Sequence, residues 1–130
     1  MKFFLAVSAV LAWLFGIMLL VAPAQFYLPT GMALTPMHAT IAQAHGATLV
    51  GLGTINWLAR RAEGAGLVAV LAGNLVVQVL SFVVAVRTAS LGAGANVMPA
   101  FVIHTALGIG FATFLVRARR SLEAREALLH

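Results

Sequence analysis

The stretch PMHATIAQAHGATLVGLGTINWLARR, Pro36–Arg61, decides the fold, because it is long enough to cross a bilayer and carries helix signals at both ends. Thr35 is a residue type that caps the first free N–H groups of a helix, and proline is well tolerated at the first helical position that follows. No charged residue occurs before Arg60 and Arg61, which end the stretch in water. The stretch is therefore predicted to be a membrane-spanning helix.

Small residues recur along this helix at spacings of four, three, four and three, which places them on one face. They are Thr40, Ala44, Ala47, Gly51 and Thr54. Helices in lipid associate through close packing, and small side chains let two backbones approach. We therefore expect this stripe to pack against another helix. Toward the end of the chain, a second stripe with a spacing of four predicts the same role for Ala100, His104, Gly108 and Ala112.

The composition is that of a membrane protein. Apolar residues make up 62% of the 130 residues and charged residues 8%, against roughly half and about a quarter in soluble domains. The absence of cysteine excludes disulfides, thiolate metal sites and cysteine nucleophiles. The basic residues that give the net charge of +5 lie at the ends of apolar runs, so they predict orientation in a membrane and contact with lipids, not binding to nucleic acid.

Apolar runs of sufficient length predict four spans at 3–22, 36–60, 66–86 and 97–117, followed by a cytoplasmic amphipathic tail at 118–130. The fold class is an all-α, integral membrane, up-down four-helix bundle with a helical extension. Asn96 is expected to cap the fourth span. The connection 23–35 contains two prolines and a glycine and is predicted to lack regular helix. Its start, Ala22-Pro23-Ala24, has the pattern of a signal cleavage site, but the preceding apolar run exceeds the usual 7–15 residues, so we expect retention as a span.

The charges predict an inner-membrane protein with both termini in the cytoplasm. In that orientation a single basic residue, Arg87, lies outside. The basic residues on the inner side are Lys2, Arg60, Arg61, Arg117, Arg119, Arg120 and Arg125. This asymmetry follows the rule that basic loops stay on the cytoplasmic side.

Four polar residues form the candidate site. Counting residues along helices that enter from outside places His45 and His104 about 10–14 Å below the outer surface. The third span runs the other way and brings Gln78 and Ser81 to a similar level. Two facing histidines are what a haem b needs, whereas a quinone headgroup would hydrogen-bond to His and Gln side chains. The alternative is structural, with these side chains bonded to one another or to a backbone carbonyl.

Other chemistry lacks the residues that it needs. The three acidic residues, Glu63, Glu123 and Glu126, all lie outside the predicted spans, whereas proton-coupled transport usually relies on a carboxylate inside one. The first span also lacks the glutamate of small four-span multidrug exporters. No metalloprotease, nucleotide-binding or serine-hydrolase motif occurs, so the chain is predicted not to be an enzyme.

The segments AQAHGATLVGLGTINWLARR, GNLVVQVLSF and GIGFATFLV resemble a set of small bacterial four-span proteins of unknown function, loosely similar to the DoxX-like group. The matching pattern in the second span is Gly46, Ala47, Leu49, Gly51, Leu52, Gly53, Asn56, Trp57 and Arg60. The resemblance implies the four-span fold and transfers no catalytic residue. The DoxX name implies an association with quinol oxidation.

Three functions follow, in order. The first is a non-catalytic subunit that acts by packing, either in a homo-oligomer or as an accessory part of a larger membrane complex. The second is a binder of haem, quinone or lipid that uses His45 and His104. The third is a transporter of small solutes along Asn74, Gln78 and Ser81, for which the inner half of the bundle supplies few polar residues.

Overall fold

The computed structural model describes residues 1–31, 33–93 and 97–128, and every regular element in these ranges is helical. The helices are α1 (Lys2–Val21), α2 (Pro23–Tyr27), α3 (Pro36–Ala59), α4 (Gly64–Thr88) and α5 (Met98–Ala127). A short 3-10 turn, Leu28–Thr30, follows α2, and a π-helical turn, Ala89–Ala93, follows α4. The all-helical prediction is confirmed.

Three helices are long and apolar enough to cross a membrane, judged by length and composition over the described residues: α1, α4 with its extension to Leu91, and α5. Helix α3 has 24 residues, but its apolar sequence contains glycine, threonine, histidine and glutamine, which lower its mean hydropathy. The apolar helices are those of a membrane protein, while a fourth span at α3 stays a prediction.

Helix α3 begins where its sequence indicates. Thr35 has an extended backbone, and its Oγ1 accepts a hydrogen bond from the N–H of His38 at 3.3 Å. Pro36 occupies the first turn, where a missing N–H breaks no helical bond. Helix α5 also has a proline in its first turn and continues unbroken through residues 98–127, so residues 118–127 of the predicted tail continue the helix of the predicted fourth span. Asn96, the expected cap, lies outside the described residues.

The prediction that residues 23–35 lack regular helix is wrong at their start. Pro23 opens α2 at the first helical position, where proline is favoured. The turn that follows ends at Gly31, whose φ of 71° lies in the left-handed region and whose N–H donates to the Leu28 carbonyl at 3.1 Å. Proline here starts a helical turn, and glycine ends the next.

The chain divides into two compact units, Lys2–Arg60 and Arg61–His130, with Met1 assigned to the second. In the first unit, α1 and α3 pack antiparallel, with Leu5, Ala9 and Leu19 among the buried residues of α1. In the second, α4 and α5 pack antiparallel around Leu71 and Phe111, which are fully buried.

Candidate functional site

Glycines allow α1 and α3 to touch through their backbones. A Cβ atom added at Gly46 would lie 2.7 Å from the carbonyl oxygen of Gly16, and one added at Gly16 would lie 2.8 Å from that of Gly46. A Cβ at Gly53 would lie 2.7 Å from the indole Cδ1 of Trp13 and 2.9 Å from the carbonyl oxygen of Ala9. These distances are shorter than any ordinary van der Waals contact, so close packing of this pair depends on glycine at these positions.

The predicted stripe lies on a different face of α3 from the one that contacts α1. The buried residues of α3 are Ala42, Gly46, Gly53, Asn56 and Ala59. The first four stand two positions after Thr40, Ala44, Gly51 and Thr54, a rotation of about 200° around the helix. In the stripe itself, Thr40, Ala44, Ala47, Gly51 and Thr54 are all exposed.

Within the stripe, Gly51 and Thr54 differ in their surroundings. A Cβ at Gly51 would meet nothing within 4 Å. Thr54 is at the edge of the α1 contact, because its Oγ1 accepts a hydrogen bond from the Trp13 indole N–H at 3.3 Å. The stripe, apart from Thr54, is therefore available for packing against a partner, and its predicted role stays a prediction.

Polar side chains for which the sequence analysis predicted no contact join α1 to α3. The Asn56 amide donates to the Ser8 hydroxyl at 3.1 Å, and both residues are buried. The Gln43 amide donates to the Leu20 carbonyl at 3.1 Å. This bond satisfies one of the carbonyls that the last turn of a helix leaves without an intrahelical partner. A polar residue inside each apolar run was the signal available for Ser8 and Asn56.

Gln78 and His104 are brought together by α4 and α5. His104 Nδ1 lies 2.8 Å from Gln78 Oε1. An amide oxygen only accepts hydrogen bonds, so His104 Nδ1 is the donor in this contact. Gln78 is 6% exposed and His104 is half-buried. Gly108 lies against the same glutamine, since a Cβ added there would stand 3.6 Å from Gln78 Cβ.

An open, mostly apolar groove of about 280 Å³ adjoins this pair. Its lining residues are Leu75, Gln78, Val79, Phe82, Val83, His104, Thr105 and Gly108. Ser81 is half-buried and is not part of this lining. The polar pair thus stands at the edge of an apolar surface, an arrangement suited to a ligand with one polar end.

His45 belongs to the first unit. It is exposed on α3, and the part of the chain that the structure describes gives its ring no hydrogen bond. The structure thus joins His104 to Gln78, and a haem held between His45 and His104 stays a prediction. Within the described ranges, no three His, Cys, Asp or Glu side chains are grouped closely enough to hold a metal ion.

Three exposed threonines of the long helices have hydroxyls that are bonded within their own helix. Thr40, Thr48 and Thr113 each donate to the carbonyl four residues earlier, at 3.1, 3.1 and 2.8 Å. Such bonds make a hydroxyl compatible with lipid, because it keeps a partner without water. His45 differs from these threonines in having no such bond.

The residues of the predicted second stripe are all half-buried: Ala100, His104, Gly108 and Ala112. Asn74, from the predicted transport face, is buried, and its amide donates to the Val70 carbonyl at 2.9 Å. That bond lies within α4, so this amide is at least partly committed to its own helix.

Comparison of the chain with protein-family models, curated proteins and solved structures finds no match. The resemblance to the DoxX-like group therefore stays a prediction.

Proposed function

We propose that the protein is a non-catalytic, four-span inner-membrane subunit that acts by packing, in a homo-oligomer or as an accessory part of a larger membrane complex. The exposed face of α3 carries the proposal. It presents Ala44, Ala47 and Gly51 in a segment without charged residues, and the exposed imidazole of His45 lies about 100° further around the helix from Ala44.

The imidazole of His45 is a second reason to expect that a partner covers the exposed part of α3. If α3 crosses the bilayer, His45 lies about 14 Å from the start of the helix, near the middle of the hydrocarbon layer. Ionisable side chains at that depth almost always face protein or a water-filled cavity, because hydrocarbon offers no hydrogen-bonding partner. His45 is about 100° around the helix from Ala44, so the assembly would shield the imidazole through a contact next to the one on the small residues.

The four-span topology rests on length and charge. The 24 residues of α3 extend about 36 Å, enough for a hydrocarbon core of ~30 Å. Its polar and small residues are compatible with a membrane span if the helix contacts protein on two sides, with α1 on one side and a partner on the other. An even number of spans puts both termini on one side of the membrane, and the seven of eight basic residues on that side favour the cytoplasm.

The first test compares two glycine substitutions. Gly51→Leu fills the open side of the α3 face and should block a partner helix, so the assembly should dissociate to single chains. Gly73→Leu is the matched control, because a Cβ at Gly73 on α4 also meets nothing within 4 Å, and its assembly should be unchanged. Native mass spectrometry from membranes in mild detergent gives the mass and the composition of each species.

The outcomes are distinct. A wild-type protein that leaves the membrane as a single chain of 13.6 kDa contradicts the proposal. So does an assembly that Gly51→Leu leaves intact. An assembly of one chain type identifies a homo-oligomer, and a second chain type identifies an accessory subunit.

A second function is favoured by the hydrogen-bonded pair Gln78 and His104 beside the apolar groove. A quinone has two carbonyl oxygens on a ring with an apolar tail, and side-chain N–H groups can bind such oxygens while the groove holds the tail. In this reading, the pair would rearrange so that an N–H of Gln78 or His104 turns to the quinone.

The test is the quinone content and the reduced-minus-oxidised spectrum of purified protein. Quinone that copurifies with the wild type should fall at least about tenfold in His104→Ala, the loss expected for one or two good hydrogen bonds. His38→Ala, which changes an exposed histidine near the start of α3, serves as the control. Wild-type protein without bound quinone rules the function out, whereas a b-type band lost in both His45→Ala and His104→Ala identifies haem instead.

A further inference from the structure

A second groove lies at the charged end of the α4 and α5 pair. Its volume is about 320 Å³. Glu63, Gly64 and Leu67 line it from the start of α4. The lining from α5 comprises Phe114, Arg117, Ala118, Ser121, Leu122 and Arg125, which recur at helical spacing and so form one face.

The walls of this groove combine an apolar surface with basic groups. Leu67, Phe114 and Leu122 supply the apolar part, and Arg117 and Arg125 supply two positive charges. The guanidinium carbon of Arg117 lies 5.8 Å from the centroid of the Phe114 ring, within the range of a cation–π contact. Charge and apolar surface therefore adjoin within one groove.

The groove also stands where apolar sequence gives way to charged sequence. On α5 the uncharged run ends at Val116, and Arg117 follows. On α4 the uncharged run begins at Gly64, directly after Glu63. In a membrane, such a boundary lies at the level of the lipid headgroups.

We propose that this groove is a binding site for an anionic phospholipid. Arg117 and Arg125 bind the phosphate, and an acyl chain runs along Leu67 and Phe114. Guanidinium groups suit this ligand, because their planar N–H groups match two phosphate oxygens at once. The site goes beyond the packing role proposed above and does not depend on it.

Glu63 regulates access of the phosphate to Arg125. Their ion pair has an N–O distance of 3.0 Å, and the two side chains are 62% and 72% exposed. Ion pairs this exposed contribute little to stability, so Arg125 can exchange the carboxylate for a phosphate at small cost. The carboxylate also repels an anionic headgroup, and its neutralisation should strengthen binding.

The other arginines of the tail provide matched controls. Arg120 is exposed and does not line the groove, although it is only about 60° around α5 from Arg117. A general attraction between a basic tail and anionic lipid would use Arg120 as much as Arg117. A specific binding site in the groove would instead depend on Arg117 more than on Arg120.

The experiment titrates the full-length chain in mild detergent with palmitoyl-oleoyl phosphatidylglycerol or the matching phosphatidylcholine and counts bound lipids by native mass spectrometry. We expect Arg117→Gln and Arg125→Gln each to weaken phosphatidylglycerol binding about fivefold, the effect of one basic charge near a membrane surface. Arg120→Gln should change it less than about twofold on the same scale. Glu63→Gln should strengthen it several-fold.

Three results would overturn the proposal. One is equal weakening by Arg117→Gln and Arg120→Gln, which means diffuse attraction. Another is equal binding of phosphatidylcholine, and the third is displacement of the lipid by millimolar inorganic phosphate, which means that a free anion is the ligand. Circular dichroism of each variant checks the fold, and a gain of binding in Glu63→Gln cannot come from unfolding.

Discussion

At Gly46, the contact between α1 and α3 leaves no room for any side chain. The atoms that a Cβ would meet are the Gly16 carbonyl oxygen at 2.7 Å and the Leu20 backbone nitrogen at 2.9 Å. Backbone atoms cannot rotate away as a flexible side chain can, so relief requires the two helices to separate. Separation would also lengthen the hydrogen bond between Ser8 and Asn56, which is 3.1 Å long.

We therefore expect Gly46→Leu to destabilise the protein by about 1–3 kcal/mol or more, the usual cost of overpacking. Gly51→Leu places the same side chain on the same helix where nothing lies within 4 Å, so it should leave the stability of the single chain unchanged. The measurement is the midpoint of unfolding in mixed micelles of mild detergent and dodecyl sulfate. Equal midpoints for Gly46→Leu and the wild type would contradict the close contact.

At the scale of single helices, the sequence identifies α3 well and its faces poorly. Small residues repeat at spacings of four, three, four and three from Thr40, and four of the buried residues, Ala42, Gly46, Gly53 and Asn56, each stand two positions after a member of that stripe. Periodicity identifies residues that share a face, but it does not identify the neighbour of that face. The buried face of α3 is determined by its contact with α1, where Gly16 allows the close approach. The residue pattern of α3 alone carries no information about this contact.

The polar residues show a similar division. Depth counting along antiparallel helices places Gln78 and His104 at one level, and the two side chains are hydrogen-bonded. The same counting places His45 at that level, but depth does not determine rotation about the helix axis, and His45 is exposed. Asn56 was named only as part of the residue pattern in the second span, whereas its amide bonds to Ser8 inside the α1 contact.

Helix ends were easier to predict than helix faces, because they depend on local chemistry. Thr35 and Pro36 start α3 as expected. Pro23 led to a wrong prediction, because proline is favoured in the first turn of a helix but breaks a helix interior. The sequence alone did not show which of these two positions Pro23 occupies, and the structure places it at the start of α2. Because α3 is less apolar than the other long helices, the number of spans has to be tested by an experiment on the whole chain.

For the whole molecule, the arrangement in the membrane can be tested without altering any native thiol, because the chain contains no cysteine. Single cysteines replace Ala33 before α3, Ala62 after it, Ser90 after α4 and Leu128 at the end of the described chain. With four spans, an impermeant maleimide should label Ala33→Cys and Ser90→Cys in intact cells. It should label Ala62→Cys and Leu128→Cys only after the membrane is opened.

Each alternative arrangement gives a different pattern. If α3 does not cross the bilayer, Ala33→Cys and Ala62→Cys lie on the same side and react together. If the protein is inverted, all four positions exchange their behaviour, and seven of the eight basic residues lie outside, against the charge rule. Leu71→Cys, at a fully buried position of α4, should stay unlabelled under both conditions. Labelling of Leu71→Cys would show that the reagent enters the helix pair. If Leu71→Cys stays unlabelled, the four-span pattern establishes that α3 crosses the membrane and that both termini face the cytoplasm.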